Sequence, residues 1–154
     1  MRRLKFRAWD IDKKEMKRVI AVFPSLVEDM KPIVKVEGTN KQGFATFPHA
    51  SNQVADFVLM QYTGLRDRNG KEIYEGDIIK VIKDEINGEC EYYEVVWNNE
   101  WGLFECVDAK GNPCDYELNF PWPNKREVIG NIYENPELLP LLEPDEDSDE
   151  NKEV

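Results

Sequence analysis

Short runs of alternating apolar and polar residues, broken by glycine and asparagine turns, dominate this chain. Near its start, "LKFRAW" puts Leu4, Phe6 and Ala8 on one side and Lys5, Arg7 and Trp9 on the other, the two-residue period of a half-buried strand. "DIDKK" reads as a turn, with Asp10 and Asp12 suited to bonding their own backbone. "EMKRVIAVF" returns as the second arm of a hairpin, stopped by Pro24. "PSLVEDMK" is predicted as a short helix ended by Pro32, "IVKVEG" as a short strand, and "TNKQGFATFPHASNQ" as a polar loop. A soft boundary is placed near residue 55.

From residue 56 to 133 the pattern is clearer. "DFVLMQYTG", "DIIKVIKDE", "CEYYEVVW", "LFECVD" and "REVIGNIY" are predicted strands, and "DYELNF" a short strand or coil. Asn69-Gly70 and Asn87-Gly88 carry the residues of type I′ turns. In "YEGD", Gly76 is expected at a positive φ, with Asp77 bonding the turn backbone. Short strands joined by tight turns bury themselves best by curling into a small barrel. "NPELLPLL" follows as a short helix with Asn135 as its cap.

The predicted architecture is therefore mainly β. Residues 1–55 form an N-terminal β-hairpin lobe with an irregular segment. Residues 56–142 form a small SH3-like antiparallel barrel with a short C-terminal helix. Residues 143–154 form an acidic tail, read from composition as disordered.

Charge divides the chain further. The net charge is −11 over 154 residues. Residues 143–154 carry seven acids and one lysine, whereas residues 1–18 carry eight bases and three acids. A basic N-terminal patch is thus hidden in an acidic average. Arg2, Arg3, Lys5, Arg7, Lys13 and Lys14, with Trp9 among them, form the first candidate binding face, because cations interleaved with aromatics can track a phosphate backbone and stack bases. Arg66 and Arg68, in the glycine-bounded "TGLRDRNGK", are its second part, expected to pair with Asp67 and Glu72. Trp101 and Trp122, with Trp97, supply aromatic loops of the kind that hold peptides or bases.

Other chemistries find little support. Three cysteines without a C-x-x-C pair do not make a disulfide framework, and they fit a reducing compartment. His49 is the only histidine and has no partner visible in sequence, so Ser–His–Asp and Cys–His mechanisms lack a base with company. Glu75 and Asp77 lack a third ligand at metal spacing, and "DIDKKE" lacks the glycine of an EF-hand loop. No catalytic residue, metal ligand or cofactor is therefore assigned. No apolar run is long enough to span a bilayer, and "MRRLKFRAWD" has no apolar region behind its charges.

Three segments carry a family resemblance. "KFRAWDIDKKEM", "LMQYTGLRDRNGKEIYEGDIIKV" and "VIGNIYENPELL", in that order, resemble the YopX-like proteins encoded by phages and prophages of bacteria. Residues 20–55 and the tail lie outside it. The resemblance implies a C-terminal SH3-like barrel, self-association and a phage origin, and it brings no catalytic residue. Together these readings describe a non-enzymatic, phage-encoded accessory protein in the cytoplasm of the bacterial host cell. It is expected to be a homo-oligomer that binds a phage or host protein and no membrane. The alternative is a nucleic-acid-binding module that uses the basic hairpin.

Overall fold

The computed structural model of the chain describes residues 3–25, 30–38, 42–50, 54–114 and 123–144. Among these the strands are β1 (Phe6–Asp10), β2 (Glu15–Phe23), β3 (Ile33–Val36), β4 (Gln42–Thr46), β5 (Phe57–Arg66), β6 (Glu72–Tyr74), β7 (Asp77–Asp84), β8 (Glu89–Asn98), β9 (Leu103–Val107) and β10 (Arg126–Asn131). Short 3-10 helices cover Pro123–Lys125 and Pro136–Leu142. No helix among the described residues is long and apolar enough to cross a membrane.

The fold is mainly β, built from two sheets. In the first, β1 to β5 pair in succession and β5 pairs back onto β1, which closes a five-stranded ring. All these pairings are antiparallel except β4–β5. The second sheet is antiparallel, in the order β10-β7-β8-β9, and curls with the β5–β6 hairpin into a barrel-like shell that nearly closes. Strand β5 serves both units. Its first half pairs with β1 and its second half with β6. The division expected near residue 55 thus falls between two strands of one ring.

Alternation along β1 and β5 sorts three cores. Ala8, Val34, Val36, Ala45, Phe57 and Leu59 fill the ring, with Phe6 packed against them. Ile73, Ile79, Val81, Tyr93, Val95, Phe104, Cys106 and Val128 fill the second unit. On the outer faces of β1 and β5, Trp9, Val58 and Met60 pack with Met16 and Tyr133 into a third cluster that joins the two. Trp9, expected on the open side of the hairpin, is accordingly buried and stacked on Tyr133, with ring centroids 5.9 Å apart.

Several expectations change. Residues 42–46 form β4 rather than a loop. Its inward positions are the small Gly43 and Ala45, while Phe44 is 46% exposed, so the hydrophobic pattern is inverted. Glycine is required at 43, where a Cβ would lie 2.7 Å from Asp56 and 2.8 Å from the Phe57 ring. In both Asn-Gly turns only the glycine has positive φ, so neither is type I′. The C-terminal helix is 3-10: the Leu138 N–H donates to Asn135 O and the Glu143 N–H to Pro140 O, three residues back in each case. Asn135 makes no side-chain cap; its Oδ1 accepts from the Asn131 N–H instead. Asp67 accepts from the backbone N–H groups of Asn69, Lys71 and Val128 rather than from an arginine. Cys90, Cys106 and Cys114 form no disulfide among the described residues. The helix expected over 24–31 rests on residues 26–29, which lie outside the described residues, as do "DYELNF" and the tail from residue 145.

Gly76 adopts φ +81° as expected, and Asp77 Oδ2 accepts from the Tyr74 N–H at 2.7 Å. The Gly76 N–H donates to Val95 O and its carbonyl accepts from the Ile132 N–H, so three segments meet there. A Cβ would lie 3.3 Å from the Met60 sulfur. Gly76→Val should lower unfolding free energy by about 2 kcal/mol in a denaturant titration, and an unchanged midpoint would refute this account of the turn.

Candidate functional site

The basic strand face is engaged inside the molecule. Lys5 Nζ bonds both carboxylate oxygens of Glu72, at 2.9 and 2.7 Å. Arg7 Nη2 donates to Asp77 Oδ1 at 2.6 Å, and its guanidinium lies 4.7 Å from the Tyr74 ring centre. Asp77 is almost fully buried, and burial pushes its carboxyl above the ordinary aspartate value against the opposing pull of Arg7. Arg66 pairs with Glu72, as expected. Arg3, Lys13, Lys14 and Arg68 are exposed, and Trp101 is 75% exposed. Arg2 and Trp122 lie outside the described residues. The nine candidates among the described residues therefore do not share one open face.

A different constellation does converge. A cleft of about 540 Å³ opens between the two units, lined by Phe47, Pro48, His49, Ala50, Gln61, Glu75, Val96, Trp97, Asn99 and Phe104. Its rim is the turn Phe47–Ala50, closed by the Ala50 N–H donating to Phe47 O. Proline in second place and a positive φ in third make the pattern of a type II turn, whose third place favours glycine. Here that place is held by His49, at φ +61°. The backbone cost is offset by what the imidazole reaches. Its Nε2 lies 2.6 Å from Glu94 Oε1 on β8. The opposite wall is aromatic: Trp97 and Phe104 face each other across β8 and β9, edge to face, at 4.9 Å.

The lining includes one acid, Glu75. Glu75 is 7% exposed, and its Oε1 accepts the Gln61 N–H at 3.2 Å. Burial raises its pKa and the nearby Glu94 adds to this, while the Gln61 N–H and His49 oppose. Hydrogen bonding to Glu94 raises the His49 pKa, against partial burial. Tyr133 is pushed up to about 12, by burial first and then by Glu94 and Glu75. The lining holds no Ser, Thr, Cys or Lys. No group of three His, Cys, Asp or Glu among the described residues is placed to hold a metal ion. The arrangement is equipped to hold a guest by aromatic contact and negative charge.

Sequence reasoning set His49 aside for want of a partner and did not consider Glu94 or Tyr133. The available signal was "FPHA", where proline before a polar residue marks a turn of this type.

A family model described as "YopX protein" matches residues 5–140. Among solved structures, the crystal structure of a protein from Enterococcus faecalis is similar, with 28% identity and a TM-score of 0.56, covering 90% of this chain and 99% of that one. Comparison with curated proteins finds no match.

Two measurements test this geometry. Arg7→Met leaves Asp77 buried without its cation and should cost about 3–5 kcal/mol in denaturant unfolding, whereas loss of a dispensable surface pair would cost under about 1 kcal/mol. The His49 titration followed by NMR should have its midpoint above the ordinary histidine value, and Glu94→Gln should bring it down. Because the folded pKa is the raised one, the stability that His49 adds is complete below the unfolded pKa and lost as pH rises through the folded pKa. A variant difference that grows with pH would contradict the pairing.

Proposed function

Since the chain belongs to the YopX family, we propose that it is a non-enzymatic accessory protein that binds an extended segment of a protein partner in the cleft between Phe47 and Trp97. On this reading it is phage-encoded, self-associates and acts in the cytoplasm of the bacterial host cell. One observation carries the proposal: an open cleft whose aromatic walls come from the β4–β5 connection, β8 and β9 and are left unfilled by the described residues. Its volume lies within the ordinary range for small binding sites, and aromatic rings supply contact area at little rotamer cost. Phe47 is 51% and Trp97 39% exposed, in keeping with surfaces waiting for a partner. The nucleic-acid reading loses its best residues, since Lys5 and Arg7 are paired to carboxylates and Trp9 is buried. The net charge of −11 also repels phosphate at long range.

The test is site-specific photo-cross-linking in the host cytoplasm. A benzophenone amino acid replaces Phe47 in one variant and, in another, Ile20, an exposed residue of β2 outside the cleft lining. A discrete protein adduct is expected from position 47 and not from position 20, insensitive to nuclease and abolished by Trp97→Ala at an unchanged thermal midpoint. Identical adducts from both positions, a nuclease-sensitive adduct, or none from position 47 would overturn the reading.

A further inference from the structure

Glu75 is the only carboxylate in the cleft lining, and it forms no ion pair among the described residues. The other embedded acids in this part of the fold are provided for. Asp77 has Arg7, Glu72 has Lys5 and Arg66, and Glu94 has His49. Glu75 has one backbone N–H on Oε1, and no described group donates to Oε2. A carboxyl group over nine-tenths buried, bordering a cleft and without an ion-pair partner of its own, leaves a place that a cation from outside could fill.

The surrounding side chains narrow the kind of cation. Trp97 and Phe47 line the same cleft, and a guanidinium is attracted to aromatic faces while its fork matches a carboxylate. The chain itself uses this combination nearby: Arg7 pairs with Asp77 and stands over the Tyr74 ring. We infer that the cleft seats an arginine side chain of the bound segment, its guanidinium paired with Glu75 and flanked by Trp97 and Phe47. The inference rests on the cleft being a peptide-binding site, and it adds the residue class that the site selects. Glu75 is then a specificity-determining residue, and the His49–Glu94 pair borders the seat without supplying its cation.

The experiment is an NMR titration of the ¹⁵N-labelled full chain with two neutral-capped tripeptides, at about 0.15 M salt so that charges at long range are screened. One is acetyl-Ala-Arg-Ala-amide. The other replaces arginine with citrulline, which keeps the shape and removes the charge. The arginine peptide should shift the Trp97 indole N–H and the amides of Val95 and Val96, and the citrulline peptide should bind about tenfold more weakly. Glu75→Gln retains a carbonyl to accept the Gln61 N–H, so the fold should persist. It should weaken the arginine peptide about tenfold and leave the citrulline peptide unchanged. Equal binding of the two peptides would overturn the arginine seat while leaving a peptide cleft in place. Shifts confined to residues 143–154 would show attraction to the acidic tail alone and overturn the seat. No shift at the cleft, alongside a specific adduct from position 47, would likewise remove the seat and keep the docking site. Absence of both would remove the two together.

Discussion

The contact between Arg7 and Asp77 is the one on which the two halves of this molecule depend. It joins a strand of the closed ring to the first residue of the second sheet, 70 positions later in the chain. Ion pairs this buried are poor sources of net stability, because desolvating both groups offsets most of their attraction. Asp77 illustrates this, since its acid stays above the ordinary value even with Arg7 at 2.6 Å. Such a pair specifies an arrangement. For Arg7 to reach Asp77, β1 must turn that side chain out of the ring, which sets Ala8 inward and Trp9 outward. A slip of one residue would drive the guanidinium into the apolar ring and expel Ala8. Pair and register therefore enforce each other.

The cleft follows from the same junction. Glu75 and Asp77 are separated only by Gly76, and in a regular strand they would share a face. Gly76 at φ +81° interrupts the strand, and the two carboxylates take different partners: Arg7 and the Tyr74 N–H for Asp77, the Gln61 N–H for Glu75. One acid closes the joint between the units. The other is left bordering the open space beside it. A single residue without a Cβ thus separates a structural carboxylate from an available one.

Much of the fold was legible because it is local. The runs of Ile, Val and Tyr in β7, β8 and β10 announce strands, and the turn at Gly76, with Asp77 bonding its backbone, could be read from four residues. What was hidden depends on distant contacts or on inverted patterns. β4 shows Phe44 to solvent and glycine and alanine to the core, because Phe57 and Asp56 crowd against it. Closure of the ring needs β4 beside β5 in parallel, which no turn between them encodes. His49 and Glu94 meet across 45 residues, and a lone histidine in a polar loop gives no sign of the carboxylate that awaits it.

The basic N-terminus shows why charge must be counted by contact as well as by segment. Residues 1–18 hold eight bases against three acids, and counted alone they suggest a cationic face for a polyanion. In the fold Lys5 goes to Glu72, Arg7 to Asp77, Lys17 to Glu15 and Arg18 to Glu37. Arg3, Lys13 and Lys14 form no ion pair among the described residues, and Lys13 and Lys14 lie on the turn after β1. Two of these four pairs, Lys5 with Glu72 and Arg7 with Asp77, receive acids of residues 59–81, and through them the opening strand and the central stretch are complementary parts of one joint. Beside those pairs, the carboxyl group of Glu75 borders the recess with no ion pair of its own among the described residues. A guest entering this recess would therefore meet a carboxyl group between aromatic walls, with the His49 imidazole at the rim.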